Sequence, residues 1–414
     1  MKYQPVYLNK DFQHSVLEPL VNELDAPLFF YDLDFLSTHL QSGVTICNEL
    51  GVRYLYACKA NGLGQIISRI RQAGADFDVA SQGELEQVLK ADVCPDQIIC
   101  TGPAKSARYL SLLLDRGIRT FILESEQQLR DLQNLCEQFD IRAKALLRLQ
   151  LQWEKAENSV LGGSSTTVFG LEDTHWIDVL KRQAHNRVDV LGVHCFQWGN
   201  LANLDDLHET WHSVIQRSSK FCKQAKIQNR VIDLGGGLGI DYSNPNLSEY
   251  SWDSIGDILK KINDQKLFDQ IWIEPGRYSV GLCAAYLSRV IDRKRTRSQE
   301  FLILESGMNH LLRPALTQEG FPVINMSSPD LPTTQKTPFS IHGPLCTSLD
   351  WLGTTDLPVN TAAENILMFS KTGAYGFSES MPLFLAHQWP AEVCWSNDTI
   401  DIQRSAAPAQ EFMK

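Results

Sequence analysis

Between residues 50 and 280 the chain alternates short β-rich runs with amphipathic segments. No other feature constrains the fold as strongly. The β-rich runs are Arg53–Cys58, Phe77–Ala80, Ile98–Thr101, Thr120–Leu123, Lys144–Leu149, Leu191–Phe196, Val231–Leu234 and Ile271–Glu274. Between them lie Gln82–Leu89, Ser106–Leu114, Gln127–Phe139, Leu207–Gln224 and Ser254–Gln265, with apolar residues at helical spacing. Eight strand–helix units predict an α/β protein with a (β/α)8 barrel, spanning residues 35–280. A doubly wound open sheet is the alternative that the pattern leaves.

Beyond residue 280 convincing helices become scarce. Ala284–Ile291, Glu300–Glu305, Phe339–His342, Ile366–Phe369 and Glu392–Trp395 read as strands separated by Pro, Gly and Ser, which predicts a second, mostly β domain over 281–414. Residues 1–34 form an N-terminal segment whose extended Leu28–Tyr31 either pairs into that domain or leads into the barrel. Two stretches read as loops. One is Trp153–Phe169, a long mobile loop after the fifth strand, and the other is the Ser/Pro/Thr-rich Met326–Pro338.

Composition removes some classes of function. A net charge of −11 argues against nucleic acid or anionic membrane as a main partner. No apolar stretch approaches the length of a membrane span, and Met1-Lys2-Tyr3-Gln4-Pro5 lacks the apolar core of a signal peptide. The ten cysteines are scattered without Cys-x-x-Cys or Cys/His spacing. That predicts free thiols, a cytoplasmic setting and no metal site.

Against this background Lys59 stands out. It ends the apolar run Leu55-Tyr56-Ala57-Cys58, where a lysine is rarely placed without a partner. Burial lowers a lysine pKa and makes the amine a nucleophile, and pyridoxal phosphate is the commonest aldehyde cofactor to meet it. A lysine snorkelling out of a barrel rim is the plain alternative. Gly235, Gly236 and Gly237 follow the seventh predicted strand, where barrels commonly bind phosphate on backbone N–H groups. A tight turn would use the same residues. Glu274 ends the eighth predicted strand, and there a carboxylate could hold a pyridine nitrogen protonated. Gly276 and Arg277 would add phosphate donors, although Glu274 and Arg277 could equally be a surface pair.

In the second domain, Cys346 follows a Gly-Pro turn and could donate a proton to carbon, or be an inert buried thiol. Arg313 suits capture of a substrate carboxylate, if it is not simply solvent-facing. Tyr375 lies between glycines, with a hydroxyl able to reach a phosphate or a ring able to fill an interface.

The ordered set Y-A-C-K-A-N, F-D-V-A-S-Q-G-E-L, G-V-H-C, D-L-G-G-G, E-P-G-R-Y, G-M-N-x-L-x-R-P-A-L, G-P-L-C-T-S-L-D, G-A-Y-G and P-A-E-V spans almost the whole chain. In this order the motifs resemble the fold type III pyridoxal phosphate-dependent decarboxylases, the group of diaminopimelate and ornithine decarboxylases. The resemblance implies a barrel plus a β domain, and a homodimer with active sites shared between subunits. It implies that Lys59 carries the cofactor and that Gly235, Gly236, Gly237, Gly276, Arg277 and Tyr375 surround the phosphate. Glu274 would pair with the pyridine nitrogen, Asp78 and His194 would lie near the cofactor, and Cys346 would reprotonate Cα in the partner's site. The same fold hosts an amino-acid racemase and non-catalytic regulators; the Gly-Pro-Leu-Cys motif and the presence of both Lys59 and Cys346 favour decarboxylation.

Departures from the family pattern concern the substrate. The histidine that usually stacks on the cofactor ring aligns with Phe196, the acid usually following the cysteine is Thr347, and the tyrosine usually following R-P-A-L is Thr317. Arg313 is retained. The C-T-S-L-D variant looks like decarboxylases of siderophore pathways, which implies an amino acid with a conjugated distal group, such as a citryl-diamino acid. Free diaminopimelate or another free diamino acid is the alternative.

Overall fold

In a computed structural model, residues 4–152, 158–159, 162–163, 166–183, 185–244, 250–328 and 334–413 are described. They form two compact units. One comprises Leu40–Ile240 and Glu249–Gly276, and the other Met1–His39, Asp241–Ser248 and Arg277–Lys414.

The first unit is the barrel. Eight parallel strands close on themselves: β2 Val52–Ala57, β3 Asp76–Val79, β4 Ile98–Cys100, β5 Thr120–Leu123, β6 Ala143–Arg148, β7 Val188–His194, β8 Val231–Asp233 and β9 Gln270–Ile273. The open-sheet alternative is thereby excluded, since β9 pairs with β2 through Ile271–Val52 and Ile273–Tyr54. The strands read as near-continuous apolar runs because helices cover a parallel sheet from outside. Leu55, Ile99, Ile122, Leu146, Val231 and Trp272 pack into one cluster across the barrel.

Local chemistry sets the helix starts. Ser81, Ser106, Ser125 and Ser251 each accept a backbone N–H with their side chains at the head of a barrel helix. Each cap fixes where a strand-end loop stops, and so how much chain is free to carry chemistry. Most of Trp153–Phe169 lies outside the described residues. Asn158–Ser159 and Gly162–Gly163 pair antiparallel within it.

The second unit is built on a sheet with order β14-β13-β11-β10-β1-β16-β17. Here β1 is Leu28–Asp32, β10 Ala284–Thr296, β11 Gln299–Leu304, β12 Val323–Asn325, β13 Lys336–His342, β14 Trp351–Pro358, β15 Ile366–Ser370, β16 Ala391–Ser396 and β17 Thr399–Arg404. β15 adds to β10, and β12 adds to β15. Leu28–Tyr31, left open between two roles by sequence, lies in this sheet, antiparallel to β10 and parallel to β16. The predicted loop Met326–Pro338 is shorter than expected. Lys336–Pro338 already pair with β14, and residues 329–333 lie outside the described set. Among the described residues no helix is long and apolar enough to cross a membrane. All ten cysteines are free thiols.

Candidate active site

The first barrel strand stops at Ala57, and a single 3-10 turn, Cys58–Ala60, carries Lys59. Tyr56, Ala57 and Cys58 are buried, but the Lys59 side chain is 48 % exposed. The expected buried lysine is therefore corrected. The strand ends one residue earlier than predicted, and the turn lifts the amine out of the barrel wall. Electrostatics hold it there, because Lys59 Nζ lies 3.4 Å from Asp78 Oδ2.

Asp78 is buried on β3 and also accepts from Thr101 Oγ1 at 2.7 Å. Burial and the neighbouring Glu274 charge push the Asp78 carboxyl up to about 7, while Lys59 and Thr101 favour its charged form.

Opposite chemistry gathers at the ends of β7, β8 and β9. The buried residues His194, Asp233 and Glu274 bring one ligand atom each to within 4.8 Å of one another. His194 Nε2 is 3.5 Å from Glu274 Oε2, and Asp233 Oδ1 accepts from Gly235 N at 2.9 Å. His194 Nδ1, Asp233 Oδ2 and Glu274 Oε1 have no hydrogen-bond partner among the described residues. Burial lowers His194, while the Glu274 carboxylate beside it pulls the other way. Burial and the Glu274 charge push Asp233 well above the carboxylate range. Glu274 keeps the negative charge. Burial opposes that charge, but His194, Lys59 and Arg148 hold the carboxyl down at about 2. Three acidic groups thus divide into one fixed anion and two that favour the proton.

The glycine run follows β8 directly. Gly235 has φ +64°, and a Cβ there would sit 2.9 Å from Phe196 Cβ. At Gly236 it would meet Glu274 O at 3.0 Å. Only glycine lets this backbone turn so close under Phe196. The carbonyl of Gly235 accepts from Glu274 N at 2.8 Å, tying the loop after β8 to that after β9. Gly276 lies against Ala60 of the Lys59 turn.

The barrel therefore brings together Lys59, Asp78, His194, Phe196, Gly235, Gly236, Gly237, Glu274 and Gly276. Sequence reasoning missed four others. Thr101 and Asp233 sat inside predicted strands without being assigned a role. Arg148 ends β6 and donates to Glu124 at 3.0 Å, and Glu124 also accepts from Gly102 N at 2.9 Å. A charged residue ending a barrel strand is itself the signal that would have found Arg148.

The remaining candidates lie in the β unit. Arg277 is buried, donates to Tyr242 Oη at 2.8 Å and lies 4.7 Å from the Tyr375 ring centroid. Arg313 lies 4.9 Å from the same centroid. Its Nη1 donates to Glu379 at 2.8 Å, and its Nη2 is buried with no partner among the described residues. The fork expected for a substrate carboxylate is thus half committed within the protein. Thr317 donates its hydroxyl to Arg313 O at 3.0 Å. Cys346 is exposed, and Thr347 beside it accepts from Leu349 N at 3.2 Å.

A closed parallel barrel with a lysine, a charge-sorted carboxylate cluster and a glycine turn at its strand ends defines a barrel enzyme with a ligand site at the mouth. The chain belongs to the pyridoxal-dependent decarboxylases: the family model for their pyridoxal-binding domain matches residues 43–281, more than half of the chain.

The chain is 28% identical over 370 residues to the diaminopimelate decarboxylase of Vibrio cholerae, covering 88% of this chain and 86% of the relative. It is 26% identical over 421 residues to the L-glutamyl-(BtrI acyl-carrier protein) decarboxylase of Niallia circulans, covering 97% and 96%. Its fold resembles that of Helicobacter pylori diaminopimelate decarboxylase complexed with L-lysine, with TM-score 0.83, 23% identity and coverage of 95% and 98%. The protein is a carboxy-lyase that uses pyridoxal 5'-phosphate to decarboxylate an amino acid.

Proposed function

We propose that Lys59 is the covalent anchor of the cofactor, that Glu274 takes its ring nitrogen, and that Gly235, Gly236, Gly237 and Gly276 receive its phosphate. The single observation that carries this reading is Glu274. It is buried and ionised, with one carboxylate oxygen that has no partner among the described residues. A protonated ring nitrogen is the donor such a group needs. When bound, the cofactor supplies an electron sink for the carbanion left by departing CO2.

The protein's own residues do the rest. Glu274 keeps the proton on the ring nitrogen, and His194, 3.5 Å away, orients Glu274. Asp78, itself held by Thr101, positions the Lys59 amine. Phe196 closes one face of the glycine turn as an apolar surface. Arg277, next to Gly276 in sequence, and Tyr375 supply further phosphate donors. Cys346 returns a proton to Cα from the partner subunit of a homodimer, and its exposure suits that placement. A reducing, cytoplasmic setting, with the ten cysteines kept as free thiols, is part of the same reading.

The substrate in this reading is an amino acid whose distal end is already conjugated, such as a citryl-diamino acid of siderophore synthesis. Thr347 and Thr317 offer no charge to a distal ammonium, and Thr317 already donates its hydroxyl to Arg313 O. The buried, unpaired Nη2 of Arg313 suits a carboxylate instead. The Niallia circulans relative, matched over almost its whole length, acts on a glutamyl group held by a carrier protein, which supports a conjugated substrate. Free diaminopimelate is the second reading, supported by relatives such as the Vibrio cholerae enzyme.

Purified enzyme offered free and citrylated diamino acids, followed by mass spectrometry for CO2 loss, separates the two. Faster turnover of a conjugate is expected, and equal turnover of free diaminopimelate would overturn the conjugate reading.

A further inference from the structure

Ser306-Gly307-Met308-Asn309, and the residues of His342–Asp350 around Cys346 and Thr347, are left without a chemical task by the site described above. The structure shows them locked together. Asp350 is 1 % exposed, and both of its carboxylate oxygens are used. Oδ1 accepts from Met308 N at 2.7 Å, and Oδ2 accepts from Leu345 N at 2.7 Å. The two glycines flanking this contact, Gly307 and Gly343, press against the carboxylate and each other so tightly that a Cβ at either would collide with it.

The same residue closes the base of the loop. Its carbonyl accepts from Gly343 N at 3.3 Å and from His342 Nδ1 at 3.1 Å. The carbonyl can only accept, so His342 donates from Nδ1, and its Nε2 accepts from Ser340 Oγ at 2.9 Å. Residues 343–350 are therefore a closed ring pinned at its mouth and from within. Leu345, the residue held from within, is buried and immediately precedes the exposed Cys346.

We infer that Asp350 is a positioning residue for the Cys346 thiol: its carboxylate clasps the 343–350 ring to the 307–309 turn and so fixes where the thiol points. A proton donor acts only from hydrogen-bond reach of its target, so a ring that wanders by an ångström delivers the proton elsewhere. A charge-assisted pair of backbone hydrogen bonds is a stronger anchor than neutral contacts. Asp350 touches no reacting atom. The inference rests on the proposed role of Cys346.

Asp350→Asn tests it, because the amide keeps the size and one acceptor but turns an N–H₂ toward one of the two donors. Two readouts are needed on the full-length enzyme. Hydrogen–deuterium exchange of the 305–312 and 342–351 peptides should quicken by about tenfold, while barrel-strand peptides stay unchanged. The ratio of amine product to the carbonyl product of abortive transamination should fall by about tenfold, toward that of Cys346→Ala, with cofactor absorbance retained. In the Cys346→Ala background, Asp350→Asn should change the ratio no further.

Unchanged exchange would refute the clasp. Faster exchange with an unaltered product ratio would refute the positioning role and leave a merely structural carboxylate. If Cys346→Ala itself leaves the ratio unaltered, the role of Cys346 falls first and takes the positioning claim with it. Gly343→Ala, which displaces the carboxylate without removing it, gives the same pair of readouts should Asp350→Asn fail to fold.

Discussion

The barrel mouth and the β unit treat buried polar groups in opposite ways. At the barrel mouth His194, Asp233 and Glu274 crowd together, and each keeps an atom without a partner among the described residues. In the β unit Asp350 accepts two backbone N–H groups, Asp32 accepts from Val6 N at 2.6 Å and Phe35 N at 2.9 Å, and His310 bridges Tyr286 Oη and Gln388 O at 2.8 Å each. Leaving one buried polar group unsatisfied costs about 1–3 kcal/mol. A protein tolerates that in one place for a ligand that will supply the missing partners. In the β unit the buried carboxylates Asp32 and Asp350 and the imidazole of His310 are closed, as suits groups that hold a shape. Arg313, with one limb open, is one of the open groups of that unit, with Asn309 Nδ2 and Thr372 Oγ1, and it is the one read as holding a substrate carboxylate.

The largest effect that could break this comparison lies at Lys59. Lys59→Ala should cut turnover by about 10³-fold or more and erase the absorbance of bound cofactor. The half-exposed side chain should leave the unfolding temperature of the cofactor-free protein nearly unchanged. Residual turnover within tenfold of the parent would remove the lysine from its proposed role.

A sharper test exchanges a carboxylate for an amide in each unit. Glu274→Gln should slow turnover by about a hundredfold, and its stability cost in the cofactor-free protein should shrink in acid, where the parent carboxyl becomes neutral too. Asp350→Asn should instead lower the unfolding temperature by about 2–6 °C, since it breaks a satisfied buried contact. A Glu274→Gln cost that stays constant into acid, measured by calorimetry without cofactor, would mean that the barrel mouth does not hold Glu274 as a charge.

The barrel was legible because its grammar is local. Each strand is a short apolar run, and each chemical residue stands where a run ends, so Glu274 and the glycines could be picked out by position alone. Lys59 was found the same way, yet its burial was misjudged, because one residue of strand length decides whether a side chain lies in the wall or at the rim. The β unit hid more. β14 carries Gly353, Asp356 and Pro358 and was not among the predicted strands, but it survives as an edge strand with a register break opposite Gly353. β17 was missed although Asn397 and Asp398, both at positive φ, mark the hairpin turn before it. Asp350 could not be assigned at all, because its partners Met308 and Leu345 are backbone groups on separate loops, and backbone contacts leave no trace in side-chain pattern.

The finest test of the comparison is the pH dependence of Asp78. Its folded carboxyl sits at about 7 against an ordinary value of 3.8, so the neutral form is the one the fold favours. Stability linked to this group is fully present below about pH 4 and is lost as pH rises toward 7. Glu274 has the opposite sign. Held at about 2 against 4.5, it contributes stability above that range and loses it only in acid. Between pH 5 and 8 Glu274 does not titrate, and comparison with Asp78→Asn isolates the Asp78 contribution from that of the other groups. In that window the cofactor-free parent should lose unfolding temperature relative to Asp78→Asn, with the gap widening up to about pH 7 and then levelling. The gap should widen if Thr101→Val is made as well, because Thr101 stabilises the charged carboxylate in the parent and has only a neutral amide to meet in the variant. Parallel curves for parent and Asp78→Asn across the window would show that the Asp78 carboxyl is solvated like an ordinary surface acid, and that the barrel mouth stores less electrostatic tension than its geometry implies.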